Sequence, residues 1–132
     1  MKSITERVIS DREKMNFLPK KVGSGFWAFE NILYQITADL SQDYTGGMWD
    51  FVELSNGGFY CRPDDDSLFH CVNMAGESAD LKNDSVGIFA TTAALAELSW
   101  RFNDERILKN YDLLQQYIEE HAERQTLRRM MD

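Results

Sequence analysis

The sequence predicts an α+β domain: a small antiparallel sheet of three or more strands in a meander, packed with about four helices. Three observations carry this. Phe26, Phe29, Leu33, Ile36 and Leu40 recur at spacings of 3, 4, 3 and 4, which is the apolar stripe of an amphipathic helix. Asn56-Gly57 lies between two short runs rich in aromatic and branched residues, the strongest short-range signal for a hairpin. Two more helical patterns follow near the C-terminus, so helix, strands and helices succeed one another as in an α+β fold.

Taken in chain order, residues 3–20 are ambiguous. Ile4, Val8 and Ile9 suit a helix face, but Pro19 argues for extended chain over Asn16–Val22, because the residue before proline avoids the α region. Gly23-Ser24-Gly25 marks a turn, and Ser24 is the expected N-cap of the helix over 26–40. Gly46-Gly47 breaks the polar connection that follows, and Met48–Leu54 reads as a strand. A type I′ turn at Asn56-Gly57 then sets Leu54 opposite Phe59, Glu53 opposite Tyr60, Val52 opposite Cys61 and Phe51 opposite Arg62. After a turn at Pro63–Ser67, Leu68–Val72 is the expected third strand. Both sheet faces then hold large apolar groups, so both need cover from helices. Asn73–Lys82 reads as loop. Asp84 or Ser85 is placed to cap a helix over Val86–Trp100, with Phe89, Leu98 and Trp100 as its bulk. Asn103 is the expected cap of the next helix, Asp104 to about His121, with a buried stripe of Ile107, Leu108, Tyr111, Leu114, Tyr117 and Ile118. Ala122–Met131 suits a short final helix.

Composition narrows the function. The chain has 132 residues, 43% hydrophobic and 27% charged, which fits one globular domain spanning residues 1–132. Fourteen basic against 22 acidic residues leave a net charge of −8, which excludes broad electrostatic binding to nucleic acid or anionic membrane. No apolar run reaches a membrane span, and the charged N-terminus carries no apolar signal core. With two cysteines, this places the expected location in the cytoplasm. The acidic excess sits around Asp39, Asp43, Asp50, Glu53 and Asp64-Asp65-Asp66. It is either a solvated face or a surface that meets a basic partner.

No catalytic motif stands out. Cys61, Cys71 and His70 do not converge on a strand model, because His70 and Cys71 alternate to opposite faces, so no metal and no cofactor is expected. The cysteines suit buried small hydrophobes, cross-strand neighbours if the second turn centres on Asp66. His70 is expected to face Arg62, and His121 to lie at a helix C-terminus. Asp50 and Glu53, of opposite parity on one strand, do not share a cleft, and the chain is expected not to be an enzyme. Tyr44, Trp49 and Tyr60 near Asp43 and Glu53 form an aromatic and acidic group, suited either to core packing or to a protein-binding hot spot.

The stretch Tyr44-Thr45-Gly46-Gly47-Met48-Trp49-Asp50-Phe51, continued by Leu54-Ser55-Asn56-Gly57-Gly58-Phe59-Tyr60, resembles the signature of the ArdB/KlcA antirestriction family. Phe17-Leu18-Pro19, Asp84-Ser85-Val86-Gly87-Ile88, Tyr111-Asp112-Leu113-Leu114 and Glu120-His121 resemble further family segments. Thr45, Val52, Gln115 and Ala122 depart from the family pattern. The resemblance implies a small cytoplasmic α+β protein of mobile elements and plasmids that relieves restriction by type I restriction–modification systems and has no catalytic residues. The implied partner is the restriction complex or an associated host protein, without membrane or strong nucleic-acid binding. Asp43, Tyr44, Trp49, Asp50, Glu53, Asn56, Tyr60 and Asp84 are the candidate partner-binding residues, offered on a rigid β-ribbon. The alternative is an acidic DNA mimic that inhibits a DNA-processing enzyme through Asp64-Asp65-Asp66. Acids clustered in one quarter, and diluted by bases, suit protein contact better than a duplex's evenly spaced phosphates.

Overall fold

The computed structural model describes residues 3–131 and is an α+β fold. Among the described residues the order is β1 (Glu6–Val8), α1 (Asp11–Val22), α2 (Phe26–Leu40), β2 (Trp49–Leu54), β3 (Phe59–Pro63), β4 (Phe69–Val72), β5 (Ser78–Leu81), α3 (Asn83–Arg101), α4 (Glu105–Ile118) and α5 (Arg124–Met131). There are two antiparallel sheets, β1-β2-β3 and β4-β5, rather than one meander. The expected third strand pairs not with β3 but with β5, which arises inside the expected loop. The Asn73 side chain makes this second hairpin: its Oδ1 accepts from the backbone N–H of Ala75 and Glu77, closing a turn that ends the strand at Val72.

The first helix was hidden by its proline. Ser10-Asp11-Arg12-Glu13 has the serine and glutamate spacing of a capping box, and the Ser10 hydroxyl accepts from the Glu13 N–H at 3.4 Å. Phe17, Leu18, Lys21 and Val22 are its buried residues, a helical spacing. Pro19 lies in the last turns, where its missing N–H costs one bond and the chain ends the helix at Gly23 in any case. The stretch expected to be extended is therefore helical. Ser24 caps nothing: a short 3-10 turn over Gly23–Gly25 leads directly into α2. At the other caps, α3 starts at Asn83 without a side-chain cap, and Asp104, rather than Asn103, caps α4 by accepting from the Arg106 N–H.

The hairpin register differs by one residue from the expected one. The observed pairs are Glu53 with Phe59, Val52 with Tyr60, Phe51 with Cys61 and Asp50 with Arg62. The loop holds three residues, not two. Leu54 O accepts from Gly57 N, Leu54 N donates to Gly58 O, and only Gly57 of this loop has positive φ, at 95°. That is a type I turn followed by a glycine bulge, whose third loop residue must be left-handed. Because side chains alternate along a strand, the shift regroups both faces. Trp49, Phe51, Glu53, Phe59 and Cys61 now share one face, and Asp50, Val52, Leu54, Tyr60 and Arg62 the other.

Helices cover both faces and one edge. On the first face Phe17 stacks on Phe51 at 6.0 Å and meets Phe59 edge-on at 5.7 Å, while Phe29 of α2 meets Phe59 at 5.8 Å. On the second face Tyr117 of α4 stacks on Tyr60 at 6.2 Å. Helix α3 closes the outer edge of β3. A Cβ at Gly87 would lie 2.2 Å from the carbonyl oxygen of Cys61, so only glycine lets the helix backbone approach. One turn later the Thr91 hydroxyl accepts from the Cys61 N–H at 3.0 Å. The strand's free donor is thus satisfied without a fourth strand. A second apolar cluster (Leu40, Phe69, Cys71, Leu81, Val86, Met130) lies under β4 and β5. Tyr44 and Phe89 pack against both clusters.

Candidate functional site

The candidate residues do not gather on one exposed ribbon face. Trp49 is 5% exposed and Tyr60 fully buried. Trp49 packs against Tyr34 and Tyr44, at 5.5 and 5.8 Å between ring centroids, and its indole N–H donates to the Tyr44 hydroxyl at 3.0 Å. Tyr60 lies on the opposite face, donates to Glu6 at 2.8 Å and accepts from Arg62 at 3.1 Å. Burial pushes its hydroxyl far above the ordinary tyrosine range. The expected accessible plate of tryptophan and tyrosine is therefore replaced by core packing, because the regrouped faces both meet helices.

The polar candidates are held by partners of their own. Asp50 faces Arg62 at 3.5 Å. Glu53 is bridged by Arg7 at 2.8 Å and Lys21 at 3.2 Å, and the Arg7 hydrogen bond leads the effects that hold its carboxyl below the usual range. Asn56 donates to Leu113 O and accepts from Gly58 N, both at 2.9 Å, so it fastens the hairpin loop to α4. Asp50 and Glu53 point to opposite faces, as their parity requires.

Asp84 stands apart, in a cleft of about 320 Å³ with Glu6, Lys82, Tyr117 and His121 on its walls. His121 Nε2 lies 2.9 Å from Asp84, and that bond is the largest of the effects lowering the Asp84 carboxyl below its ordinary value. His121 Nδ1 accepts from the Glu123 N–H at 3.0 Å, so Nε2 carries the proton donated to Asp84. Both ring nitrogens are engaged, and the pair ties the turn before α5 to the first turn of α3. Sequence reasoning missed this pair because its members lie 37 positions apart, on two elements whose docking no local pattern encodes.

Two candidates remain at the surface. Asp43 is exposed and its carboxylate accepts from the His70 N–H at 2.8 Å; Tyr44 is half-buried beside it. Across a small cavity of about 170 Å³ stand Asp64 and Asp65. Asp39, Asp43, Asp64, Asp65 and Asp66 take part in no ion pair among the described residues. Of the acidic quarter of the sequence, Asp43, Asp64 and Asp65 thus gather around one cavity, while Asp50 and Glu53 are neutralised in the sheet.

No metal-binding group forms among the described residues. Cys61 and Cys71, expected as cross-strand neighbours, lie in different sheets and are both free and buried. His70 does not face Arg62; it is exposed and pairs with Asp80 at 2.8 Å. Two residues counted as packing, Trp100 and Leu108, point into solvent at 89% and 58% exposure.

The fold is of two small antiparallel sheets wrapped by helices, with exposed acids around one cavity. A family model described as "Antirestriction protein" matches residues 42–132. Antirestriction protein KlcA of Escherichia coli is 31% identical over 132 residues, covering 94% of this chain and 90% of that one. The putative antirestriction protein YubI of Escherichia coli K12 is 31% identical over 99 residues, covering 73% and 68%. The chain belongs to the antirestriction protein family. Among solved structures, one of the KlcA and ArdB proteins superposes with a TM-score of 0.88 at 28% identity, covering 99% of this chain and 96% of that one. It is described as a novel fold with antirestriction activity against type I DNA restriction systems in vivo but not in vitro.

Proposed function

We propose that this protein, as a single domain, relieves DNA restriction by type I restriction–modification systems inside the cell. It does so by contact with the restriction complex or an associated host protein, not by catalysis and without a cofactor. The observation that carries the reading is the match over nearly the whole chain to a structure of the KlcA and ArdB proteins, which are described as active in vivo but not in vitro. A protein of that kind acts through a component the cell supplies, and that favours a docking role over an autonomous reaction. No helix among the described residues is long and apolar enough to cross a membrane, in keeping with a cytoplasmic site of action.

The contact is assigned to the acidic end. Trp49, Asp50, Glu53, Asn56 and Tyr60 hold the fold, Asp84 pins α5, and Asp43 and Asp64-Asp65-Asp66, with the half-buried Tyr44 beside Asp43, present the surface that meets a basic protein. Unmodified phage is plated on a type I restricting host with and without the protein. Plating efficiency rises with the wild-type chain. It falls back when Asp43, Asp64, Asp65 and Asp66 are changed together to Asn, while the purified variant unfolds at an unchanged temperature. Undiminished protection by that folded variant sinks the acidic-end assignment, and absence of protection by the wild type sinks the function itself.

A further inference from the structure

At the end of the fold where α2 begins and α3 stops, two of the chain's three tryptophans stand in solvent. Trp27 is 64% and Trp100 89% exposed. Gly25 packs under Phe102, 3.0 Å from its ring to the position of a Cβ, which brings the start of α2 against the end of α3. Between the two helices runs an open groove of about 450 Å³, lined by Asn31, Ile32, Gln35 and Ile36 on one side and Ala93, Glu97 and Arg101 on the other. Trp27 lies one helical turn before Asn31 of the groove, and Trp100 lies one turn after Glu97 on α3. A second hollow of about 380 Å³ continues past Trp100 and Arg101 to Phe102 and Leu108. Solvent-facing tryptophans around concave apolar surface mark an interaction site rather than ordinary exposure.

We propose that this face is where two copies of the chain meet, in a symmetric dimer. Two observations choose a second copy as occupant. The first is charge. A symmetric contact sets like against like, which a chain of net charge −8 tolerates only at a neutral patch. Of the charges framing the face, Glu97, Arg101, Asp104, Glu105, Arg106 and Lys109 cancel, which leaves Glu30 beside Trp27 and Asp112 beside Leu108. Glu97–Arg101 and Asp104–Arg106 already pair, at 2.9 and 2.7 Å. The acidic end, by contrast, would repel its own copy. The second is area. A standard interface buries roughly 800 Å² a side and homodimers are roughly two-thirds apolar, so roughly 500 Å² of apolar surface is needed from each chain. The two exposed indoles supply roughly 350 Å² of that. Leu108 and the groove residues Ile32 and Ile36 make up the remainder. The acidic ends of both copies stay uncovered. The inference is independent of the antirestriction reading.

Sedimentation equilibrium of the full chain, from about 1 μM to about 0.5 mM, tests it. The average mass is expected to climb from 15.3 kDa toward twice that value. Trp27→Ser with Trp100→Ser is expected to weaken association at least about tenfold, the loss that marks hot-spot residues. Leu108→Glu, which replaces an exposed apolar side chain of the face by a like charge on each copy, is expected to weaken it as well. Near-ultraviolet dichroism from the buried Trp49 checks that each variant keeps the fold. A wild-type chain that stays monomeric overturns the proposal and assigns the face to a different partner. Folded variants that associate as tightly as the wild type overturn it too.

Discussion

Replacing Gly87 by alanine sets two effects of opposite sign against each other. In the middle of an exposed helix, glycine to alanine stabilises by about 1 kcal/mol. Here the new Cβ would stand 2.2 Å from Cys61 O and 2.7 Å from Arg62 Cα, and both are backbone atoms that no rotamer change can move. Helix α3 must retreat from β3, and overpacking of this kind costs about 1–3 kcal/mol. The retreat also stretches the 3.0 Å bond from Cys61 N–H to the Thr91 hydroxyl, and leaving a buried donor unpaired costs about 1–3 kcal/mol. The net expectation is destabilisation of about 2 kcal/mol. With a urea m-value of about 1–2 kcal/mol/M, the unfolding midpoint falls by about 1–2 M. Thr91→Val alone removes only the hydroxyl, and combining it with Gly87→Ala is expected to cost less than the two separate losses together, because both act on one contact. A Gly87→Ala chain as stable as the wild type, or more so, would refute the close approach of α3 to the strand edge.

Other expectations follow from the same geometry. Trp49→Phe keeps the packing and loses the bond to Tyr44, a cost of about 1 kcal/mol in urea unfolding, and leaves antirestriction intact; Trp49→Ala opens the core and costs about 3–5 kcal/mol. Glu53→Gln strips Lys21, whose side chain is only 10% exposed, of its carboxylate and costs about 1–3 kcal/mol by thermal or urea unfolding. The carboxyls of Glu53 and Asp84 lie below their unfolded values, so what they add to stability is complete above about pH 5 and fades as pH falls through the unfolded values near 4 toward the folded ones. Urea midpoints measured between about pH 3 and pH 7 should fall on acidification, and less steeply in Asp84→Asn. Burial raises the Cys71 thiol to about 12 and lifts Cys61 well above its ordinary value, so a disulfide reagent at neutral pH should label neither until the chain unfolds. Rapid labelling of the native protein would place one of them at the surface.

What could be read from the chain was whatever a single element encodes by itself. The stripe from Phe26 to Leu40, the paired strands around Asn56-Gly57 and the C-terminal helices are local patterns, and the structure has them close to where the spacing puts them. The failures came where distant parts decide. Pro19 masked α1 because one missing hydrogen bond outweighed, on paper, a capping sequence and four buried side chains that only tertiary packing rewards. The strand over Ser78–Leu81 is short and polar, and it exists because β4 lies beside it. Asn56-Gly57 identified the corner but not its length, and one extra loop residue set Trp49 and Tyr60 on opposite faces instead of side by side. The motif that carried the family resemblance is therefore largely a folding motif. The residues free to touch a partner, Asp43 and Asp64-Asp65-Asp66, lie just outside it or at its margin, and no periodicity sets them apart from ordinary solvent-facing acids.

The three-residue corner between β2 and β3 leaves the strand pairing indifferent to Ser55. With that residue removed, Asn56-Gly57 would close a two-residue turn between Leu54 and Gly58, and Glu53 would still face Phe59. Ser55 is exposed and its hydroxyl serves only Thr5. A slip at full length is another matter: a two-residue turn between Ser55 and Gly58 would bring Glu53 opposite Tyr60 and turn toward each helix layer the side chains meant for the other. The bonds of Asn56 to Leu113 O and Gly58 N–H hold the corner against that slip. Related chains should therefore be able to lose a residue at this bend and keep the same frame on both strands.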